Sequence, residues 1–378
     1  MLYFDHNATA PLLPAARDAW LDAVERFVGN PSSPHRLGAR ADAALQGARE
    51  QLAGFLGCDA LDLVWTSGAT ESNNMVLRHL AVSSDAPVLV SAIEHPSVLT
   101  AAKHWLGKRT RLIPAGRNGA IELDWLEKEL KQLRPGAVAV MVANNETGVI
   151  QPWREAAELC RRVGVPFFCD ATQWIGKLPA RGLGECDFVS GSAHKFGGPR
   201  GVGFLKCPGS ATMTPLLLGG PQEDGRRAGT ENVAGVLAML AALAAREAAL
   251  RAGEYKAREE WRNEFERKLA EELPGTEIVG AGAGRLWNTT LALMPEVDCR
   301  QRWVVKLDKA GCAVSTGSAC ASGKEEPSHV LAAMGLAPAE AARALRFSSG
   351  WETAREDWAK LADNLRKVHE TMMETNKT

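Results

Sequence analysis

Three reactive side chains lie at or shortly after the ends of short apolar stretches of the sequence. Lys195 lies in the glycine-rich segment SAHKFGGPRGVGFL, Asp170 follows VPFFC, and His95 lies in EHPS after VLVSAI. A lysine in such a place can form a Schiff base with a carbonyl compound when burial and nearby cations lower its pKa. A carboxylate directly after an apolar strand is costly to bury, so it predicts a positive partner, which can be a helix N-terminus, a metal or a cofactor cation.

The segment SGATES, residues 67–72, adds a candidate phosphate site. Gly68 lets the chain turn sharply, and the amides that follow are predicted to begin a helix, where backbone N–H groups bind phosphate. An ordinary helix cap explains this segment when it is taken alone, and a surface lysine in a loop explains Lys195 alone. Together, the lysine, the aspartate, the histidine and this segment meet the needs of pyridoxal phosphate. That cofactor requires a lysine for its aldehyde, a carboxylate for its pyridinium nitrogen, a phosphate cup and a ring that stacks on its face.

These candidate residues are predicted to lie at one edge of a parallel sheet. Apolar stretches without polar alternation are separated by amphipathic helical patterns, which is typical of parallel strands covered by helices on both faces. The predicted strands are LDLVWTS, APVLVSAI, AVAVMVAN, VPFFCDA and CDFVSGSA. In such folds, ligands bind outside the carboxyl ends of the strands. The predicted fold class is therefore α/β, with a large, mainly parallel, doubly wound sheet.

Two domains are expected, because 378 residues exceed one ordinary core. Residues 15–255 are assigned to a large cofactor-binding α/β domain. A helical stretch follows, which Gly253 is expected to break into two helices, and the later sequence contains the strand-like NTTLALMP, GCAVSTGSA and ALRFSSG. Residues 1–14 together with 256–378 are assigned to a smaller α+β domain that carries the segment around Cys320.

Composition and charge narrow the classes of partner. Apolar residues make up 46% and charged residues 24%, and the formal net charge of -1 gives no electrostatic reason to expect nucleic acid or an anionic membrane. We expect no signal peptide and no membrane-spanning helix, since no run of 18 apolar residues occurs. The eight cysteines form no CxxC pair, so we expect no metal site, reduced thiols and a cytoplasmic location.

Eight motifs follow one another along the chain: TSGATES, EHPSV, NNETG, CDATQWIGKLP, SAHKFGGPRGVGFL, RRAGT, STGSAC and LRFSSG. In this order they resemble the motifs of the cysteine desulfurases, which belong to the class V aminotransferase group of fold-type I pyridoxal phosphate enzymes. The opening segments FDHNATAPLLP and GNPSSPHRLG are also similar to that family, so the resemblance covers essentially the whole chain. It implies a pyridoxal 5'-phosphate-dependent enzyme that removes sulfur from L-cysteine.

The resemblance implies a role for each residue that surrounds the cofactor ring. Lys195 would carry the cofactor through a Schiff base and act as a base on the substrate α-carbon. Asp170 would pair with the ring nitrogen, His95 would stack on the ring, and Gln173 would hydrogen-bond the ring oxygen.

Further residues would bind the cofactor phosphate and the substrate. The phosphate would be held by residues at the ends of two strands: Ala69, Thr70, Ser192 and His194. Thr230 would reach the phosphate of the neighbouring subunit's cofactor, which implies a homodimer with shared sites. Asn145 and Arg346 would bind the substrate carboxylate, and an arginine suits this task because its fork can bind a carboxylate bidentately.

Cys320 lies in the small-residue segment VSTGSACASGKEEPSHV. Taken alone, it can be a passive small residue, half of a disulfide, a metal ligand or a nucleophile on a movable arm. The resemblance implies the nucleophile, whose thiolate would attack the substrate sulfur, release L-alanine and keep a persulfide. The persulfide sulfur would pass to an acceptor protein for iron–sulfur cluster or other sulfur-compound biosynthesis. The segment is similar to the longer type found in NifS and IscS proteins, although we expect no extended tail of the kind that IscS-like proteins use to bind a scaffold.

Three other interpretations remain open at this point. A selenocysteine lyase or a dual-substrate enzyme would use the same chemistry. A class V aminotransferase or a kynureninase-like hydrolase would share Lys195 and Asp170 but would not need STGSAC. The third alternative is not an enzyme but a catalytically silent sulfur-carrier or assembly-scaffold subunit.

Overall fold

The computed structural model of this protein describes residues 1–209, 213–296, 300–316 and 328–375. Its strands are β1 Leu2–Tyr3, β2 Leu63–Thr66, β3 Val88–Ser91, β4 Thr110–Ile113, β5 Ala137–Ala139, β6 Phe167–Asp170, β7 Phe188–Ser192, β8 Gly203–Lys206, β9 Glu277–Ile278, β10 Thr289–Leu293, β11 Cys312–Ala313 and β12 Ala344–Ser348. Its helices are α1 Pro14–Arg26, α2 Arg36–Leu56, α3 Ala69–Ser83, α4 Pro96–Trp105, α5 Leu123–Leu133, α6 Trp153–Val163, α7 Val233–Arg251, α8 Glu254–Glu272, α9 Arg300–Lys309, α10 His329–Ala333, α11 Pro338–Ala341 and α12 Arg355–Thr375.

The largest sheet in the described part of the chain has seven strands in the order β2-β8-β7-β6-β5-β3-β4. Neighbouring strands from β7 through β4 pair in parallel, whereas β8 is antiparallel to both β2 and β7. All strands except β8 therefore run in one direction, and their carboxyl ends meet at one edge. This confirms the predicted α/β class with a mainly parallel sheet.

Helices cover both faces of this sheet, because successive apolar residues of its strands point to opposite sides. Phe167 of β6 belongs to a buried cluster with side chains of α2, α6 and α7. Its neighbour Phe168 belongs to a second cluster with side chains of α3 and α4. A strand that is apolar at every position is buried on both faces, which explains the continuous apolar stretches in the sequence.

The strand predicted over AVAVMVAN is shorter than expected, since β5 ends at Ala139. Beyond it, Val142 N still donates to Asp170 O at 2.9 Å, so the chain continues alongside β6. The backbone then folds back on itself, with a bridge between Ala143 and Ile150. This turn sets Asn145 at the edge of the sheet where β6 and β7 also end.

The C-terminal part of the chain forms two smaller sheets. One has the order β12-β10-β9 and is antiparallel, and the other pairs β1 with β11 in parallel. A separate buried cluster joins Phe4 to side chains of α8, α9 and α12. The first residues therefore pack with the C-terminal part, and the division into residues 15–255 and 1–14 plus 256–378 stays a prediction.

Gly253 separates α7 from α8, as predicted, and has a positive φ of 75° that favours glycine. By length and composition, α7 is the one helix in the described residues that is long and apolar enough to cross a membrane. However, 61% of the most apolar 18-residue stretch of α7 is buried inside the protein, and this helix packs on α1 and α2. A core helix meets the same criteria, so α7 is weak evidence for a membrane span.

Candidate active site

A cavity of about 460 Å³ opens at the carboxyl ends of the parallel strands. It brings together most of the predicted site residues: Ala69, Thr70, His95, Asn145, Asp170, Gln173, Ser192, His194 and Lys195. Arg346 and Thr230 do not line it, and Cys320 lies outside the described residues. The cavity is also lined by Ala8 and Thr9 of the N-terminal segment.

Lys195 lies in a single 3-10 turn, residues 193–195, that directly follows β7. Its Nζ donates to the backbone oxygens of Asn7 at 2.7 Å and of Ala8 at 2.8 Å. Gly197, two residues further on, has a φ of 94°, which turns the chain sharply back toward the sheet. The amine is thereby held at the cavity wall by the N-terminal segment.

Asp170 is the last residue of β6 and is 5% exposed. Its Oδ2 accepts a hydrogen bond from Asn73 Nδ2 at 2.9 Å, and its Oδ1 accepts one from Thr172 N at 3.0 Å. Both carboxylate oxygens are therefore fixed in position. A carboxylate buried in this way can stabilise a cationic ligand group in the cavity.

His95 caps the N-terminus of α4 through its side chain, which accepts from Ser97 N at 3.1 Å. Burial lowers the pKa of His95, and electrostatic interactions with Lys195 and His329 lower it further, against an opposing effect of Asp170. The ring is therefore neutral at neutral pH, which suits stacking on an aromatic ligand.

A chain of hydrogen bonds joins His95 to Asp170. Asn73 Nδ2 donates to both Asp170 Oδ2 and Ser97 Oγ, and Ser97 Oγ lies 2.8 Å from His95 Nδ1. Sequence reasoning did not identify Asn73 or Ser97 as part of the site. A signal was present for Asn73, because its position one helical turn after Thr70 is on the first turns of the helix that borders the cavity.

The predicted phosphate cup lies at the N-terminus of α3, which lines the cavity. Gly68 precedes this helix and has a φ of 147°. A Cβ added to Gly68 would lie 3.3 Å from Ser192 Oγ. No side chain caps this helix, so its first amides face the cavity with the positive end of the helix dipole. Burial lowers the pKa of His194 to about 4, with help from Lys195 and Arg200, so this imidazole is neutral at neutral pH.

Glu71 also lines the cavity, although a carboxylate beside a phosphate cup is unfavourable by itself. Its oxygens accept from Arg227 Nε at 2.8 Å and from Ser67 N at 2.7 Å. Burial would raise the pKa of Glu71, but these hydrogen bonds outweigh it and hold the pKa below its usual value. Arg227 thus neutralises Glu71 and ties the segment that carries Thr230 to the cup. Thr230 itself is exposed.

Arg346 lies in β12 and is 1% exposed, behind the cavity wall. Its Nη2 forms an ion pair with Asp5 Oδ1 at 2.7 Å, and its Nη1 donates to Asn145 O at 2.9 Å. Asn145 lines the cavity, so the two predicted carboxylate-binding residues are neighbours. The pairing with Asp5 was not predicted, because the two residues lie 341 positions apart in the sequence.

Comparison with known protein families shows a match of the class V aminotransferase family model to residues 2–361. A cysteine desulfurase from Klebsiella pneumoniae is 38% identical over 354 residues, which cover 92% of this chain and 87% of that protein. The cysteine desulfurase IscS from Dictyoglomus turgidum is 35% identical, with 98% of this chain and 95% of that protein covered.

Solved structures show the same similarity. A NifS-like protein from Rickettsia africae is 29% identical and superposes with a TM-score of 0.88, covering 98% of this chain and 99% of that chain. The similarity extends over the described sheets and not only over the motifs. The chain belongs to the class V aminotransferase family and, within it, to the cysteine desulfurases.

Proposed function

We propose that this protein uses pyridoxal 5'-phosphate to remove sulfur from L-cysteine, giving L-alanine and a persulfide on Cys320. The observation that carries the proposal is the grouping of Lys195, Asp170 and the N-terminus of α3 around one cavity. A lysine amine, a fixed carboxylate and a helix end match the aldehyde, the ring nitrogen and the phosphate of the cofactor. The family membership supports the same activity.

The residues of the cavity fit the cofactor in chemical type. Thr172 lines the cavity, and its buried Oγ1 has no hydrogen-bond partner within the described residues. A buried hydroxyl without a partner costs free energy, so it favours a ligand that supplies one. Asp170 would hold the ring nitrogen, His95 the ring face, and Gln173 the ring oxygen. The phosphate would be held by Ala69, Thr70, Ser192 and His194.

When bound, the cofactor supplies an electron sink that stabilises negative charge at the substrate α-carbon. Lys195, whose Nζ lies at the cavity wall, would act as the base that takes the proton from that carbon. Asn145 would hold the substrate carboxylate at the cavity wall, and Arg346, which lies behind that wall, would have to move part of its guanidinium from Asp5 toward that carboxylate. Neutral His95 would cover the ring and exclude water from it.

The Cys320 thiolate supplies the sulfur-accepting step. It attacks the substrate sulfur, a new S–S bond forms as the C–S bond breaks, and the bonding electrons of the C–S bond stay with carbon. Protonation of that β-carbon, together with return of the proton from Lys195 to the α-carbon, would complete L-alanine, while Cys320 would carry the substrate sulfur as a persulfide. The net reaction is L-cysteine plus thiol giving L-alanine plus persulfide, which balances without a further oxidant or reductant.

The active form is proposed to be a cytoplasmic homodimer that hands its sulfur to an acceptor protein. Large apolar side chains are exposed on and beside α1, including Leu21 at 61% and Val28 at 70%. Such a surface is typical of a subunit interface. Thr230 is exposed and outside its own cavity, which supports a contact with the cofactor phosphate of the other subunit. The acceptor would use the sulfur for iron–sulfur cluster or other sulfur-compound biosynthesis.

The proposal is tested by measuring L-alanine release from L-cysteine together with the visible absorbance of the bound cofactor. Wild-type protein and the control variant Lys108→Ala, at an exposed position, are expected to show both. Lys195→Ala is expected to lose L-alanine release and the absorbance of the covalently attached cofactor. L-Alanine release by Lys195→Ala at the wild-type rate would contradict the proposal.

A further inference from the structure

A second buried lysine lies next to the proposed cofactor site. Lys177 is 4% exposed and lies four residues after Gln173, in the turns that follow β6. Its Nζ donates to Gln173 Oε1 at 2.5 Å and to Asn7 Oδ1 at 2.8 Å. It does not line the cavity, so it does not contact a ligand there directly.

Asn7 connects this lysine to the proposed cofactor lysine. Its backbone oxygen accepts from Lys195 Nζ at 2.7 Å and from Gln173 Nε2 at 3.0 Å. Its side-chain Oδ1 accepts from Lys177 and from Asn288 Nδ2, the latter at 3.1 Å. Asn7 is 1% exposed, so these hydrogen bonds form in a site from which water is largely excluded.

The partners of Gln173 determine which way its amide faces. A lysine amine can only donate, and a backbone carbonyl can only accept. Lys177 therefore requires Gln173 Oε1 on its side, and Asn7 O requires Gln173 Nε2 on the other. Gln173 Nε2 carries two hydrogens and donates one of them to Asn7 O. Its second hydrogen can therefore be donated to an oxygen of the cofactor.

We propose that Lys177 is a positioning residue that fixes the amide of Gln173 so that this amide donates to the ring oxygen of the cofactor. The inference rests on the proposed function and assigns to Lys177 a part in it. A donated hydrogen bond stabilises the negative charge of that oxygen and so controls the protonation of the neighbouring nitrogen that links the cofactor to Lys195.

The backbone beneath Lys177 is held rigidly by two tryptophans from the C-terminal part of the chain. Trp287 Nε1 donates to Lys177 O, and Trp351 Nε1 donates to Gly176 O, each at 2.8 Å. The two rings contact each other edge to face, with centroids 4.9 Å apart. Gly176 has a φ of 75°, and a Cβ there would lie 2.3 Å from Phe196 Cβ, so the turn requires glycine. These contacts fix the backbone at Gly176 and Lys177, and so fix the direction in which the Lys177 side chain leaves it.

The surroundings of Lys177 provide two acceptors for its amine, Gln173 Oε1 and Asn7 Oδ1. Burial lowers the pKa of Lys177 well below its usual value, and Lys195 and Arg346 lower it further. The titratable and charged groups around Lys177 and Lys195 are His6, His95, Asp170, His194, Arg200 and Arg346.

The test is a pH titration of the visible absorbance of the bound cofactor in the holoenzyme, without substrate. Lys177→Met is expected to raise the midpoint by roughly half a pH unit to one pH unit, because the hydrogen bond to the ring oxygen is weakened or lost. Gln173→Ala is expected to raise the midpoint for the same reason. The double variant is expected to shift no further than Gln173→Ala alone, since Lys177 acts through Gln173. Lys177→Arg, which keeps donor groups, is expected to restore most of the wild-type midpoint.

The matched control is Lys206→Met. Lys206 is also a buried lysine, 6% exposed, and donates to Cys186 O at 2.8 Å, away from the cavity. Lys206→Met is expected to lower stability without moving the midpoint.

If Lys177→Met does not fold, Lys177→Gln replaces it, with a shift in the same direction expected. An unchanged midpoint in Lys177→Met, or in the Lys177→Gln variant that replaces it, overturns the inference, and so does an equal shift by Lys177→Met in the Gln173→Ala background. Absence of the cofactor absorbance from wild-type protein would instead overturn the proposed function.

Discussion

Asn73 Nδ2 lies 2.9 Å from Asp170 Oδ2, so a side chain of α3 fixes the carboxylate at the end of β6. The Oδ1 atom of Asn73 is buried and has no hydrogen-bond partner within the described residues. The amide of Asn73 can therefore turn over and accept a hydrogen bond instead of donating one. This allows the charge of Asp170 to be removed with little change in the fold.

Asp170→Asn is expected to retain the fold but to lower L-alanine release by about a hundredfold or more, because it removes the negative charge that we propose stabilises the protonated ring nitrogen. Asn73→Ala is expected to have a smaller effect, since Thr172 N still binds the carboxylate. Steady-state rates and thermal unfolding of both variants provide the measurement. Wild-type activity in Asp170→Asn would show that this carboxylate does not act on the cofactor.

Arg346→Lys is expected to raise KM for L-cysteine about tenfold or more, because a lysine cannot bind Asp5 and the substrate carboxylate in the same fork geometry. The visible absorbance of the bound cofactor should be kept. Arg343→Lys is the control, since Arg343 lies just before β12 and donates to Met294 O at 2.7 Å, away from the cavity. Equal KM values for Arg346→Lys and wild type would remove Arg346 from substrate binding.

Gly68→Ala is expected to weaken cofactor binding by roughly tenfold, because an alanine at a φ of 147° carries strain of about 1–3 kcal/mol and crowds Ser192. Gly54→Ala is the control, since Gly54 lies inside α2 with no atom within 4 Å of an added Cβ. That variant should gain about 0.5–1 kcal/mol of stability. Titration of apoprotein with cofactor distinguishes the two, and equal affinities would show that the turn tolerates a side chain.

Acid is expected to destabilise the protein through His6. Burial is the main cause that lowers the pKa of His6 from 6.5 to about 4, so between these pH values the unfolded chain binds more protons than the native one. The free energy of unfolding therefore falls as the pH falls through this window, by on the order of 3 kcal/mol from this group. His6→Gln should flatten the curve measured by denaturant unfolding at several pH values. Parallel curves for variant and wild type would exclude this contribution.

The ends of the apolar strands were sufficient to locate much of the candidate site. Asp170 ends β6 and Lys195 lies in the turn directly after β7. The parallel pairing of these strands brings their carboxyl ends together, and both residues line the cavity. That prediction works because the pattern of burial on both faces is local in the sequence.

Contacts between distant segments could not be predicted in the same way. Asn7 bonds to Asn145 and Thr289, and Arg346 pairs with Asp5, across separations of 138 to 341 residues. No periodicity encodes which polar residue of one segment meets which residue of another. Lys177 left only a weak signal, its position four residues after Gln173, which becomes informative once the turn at Gly176 is known.

The central claim is that Cys320 receives the sulfur of L-cysteine. The most direct measurement is mass spectrometry of peptides from holoenzyme that has been treated with L-cysteine and then alkylated, compared with a Cys320→Ser variant and with a Cys312→Ser control. The account predicts one additional sulfur atom on the Cys320 peptide in wild type and Cys312→Ser, and none at that position in Cys320→Ser, which also stops releasing L-alanine. An unmodified Cys320 peptide in protein that releases L-alanine, or undiminished release by Cys320→Ser, would contradict it.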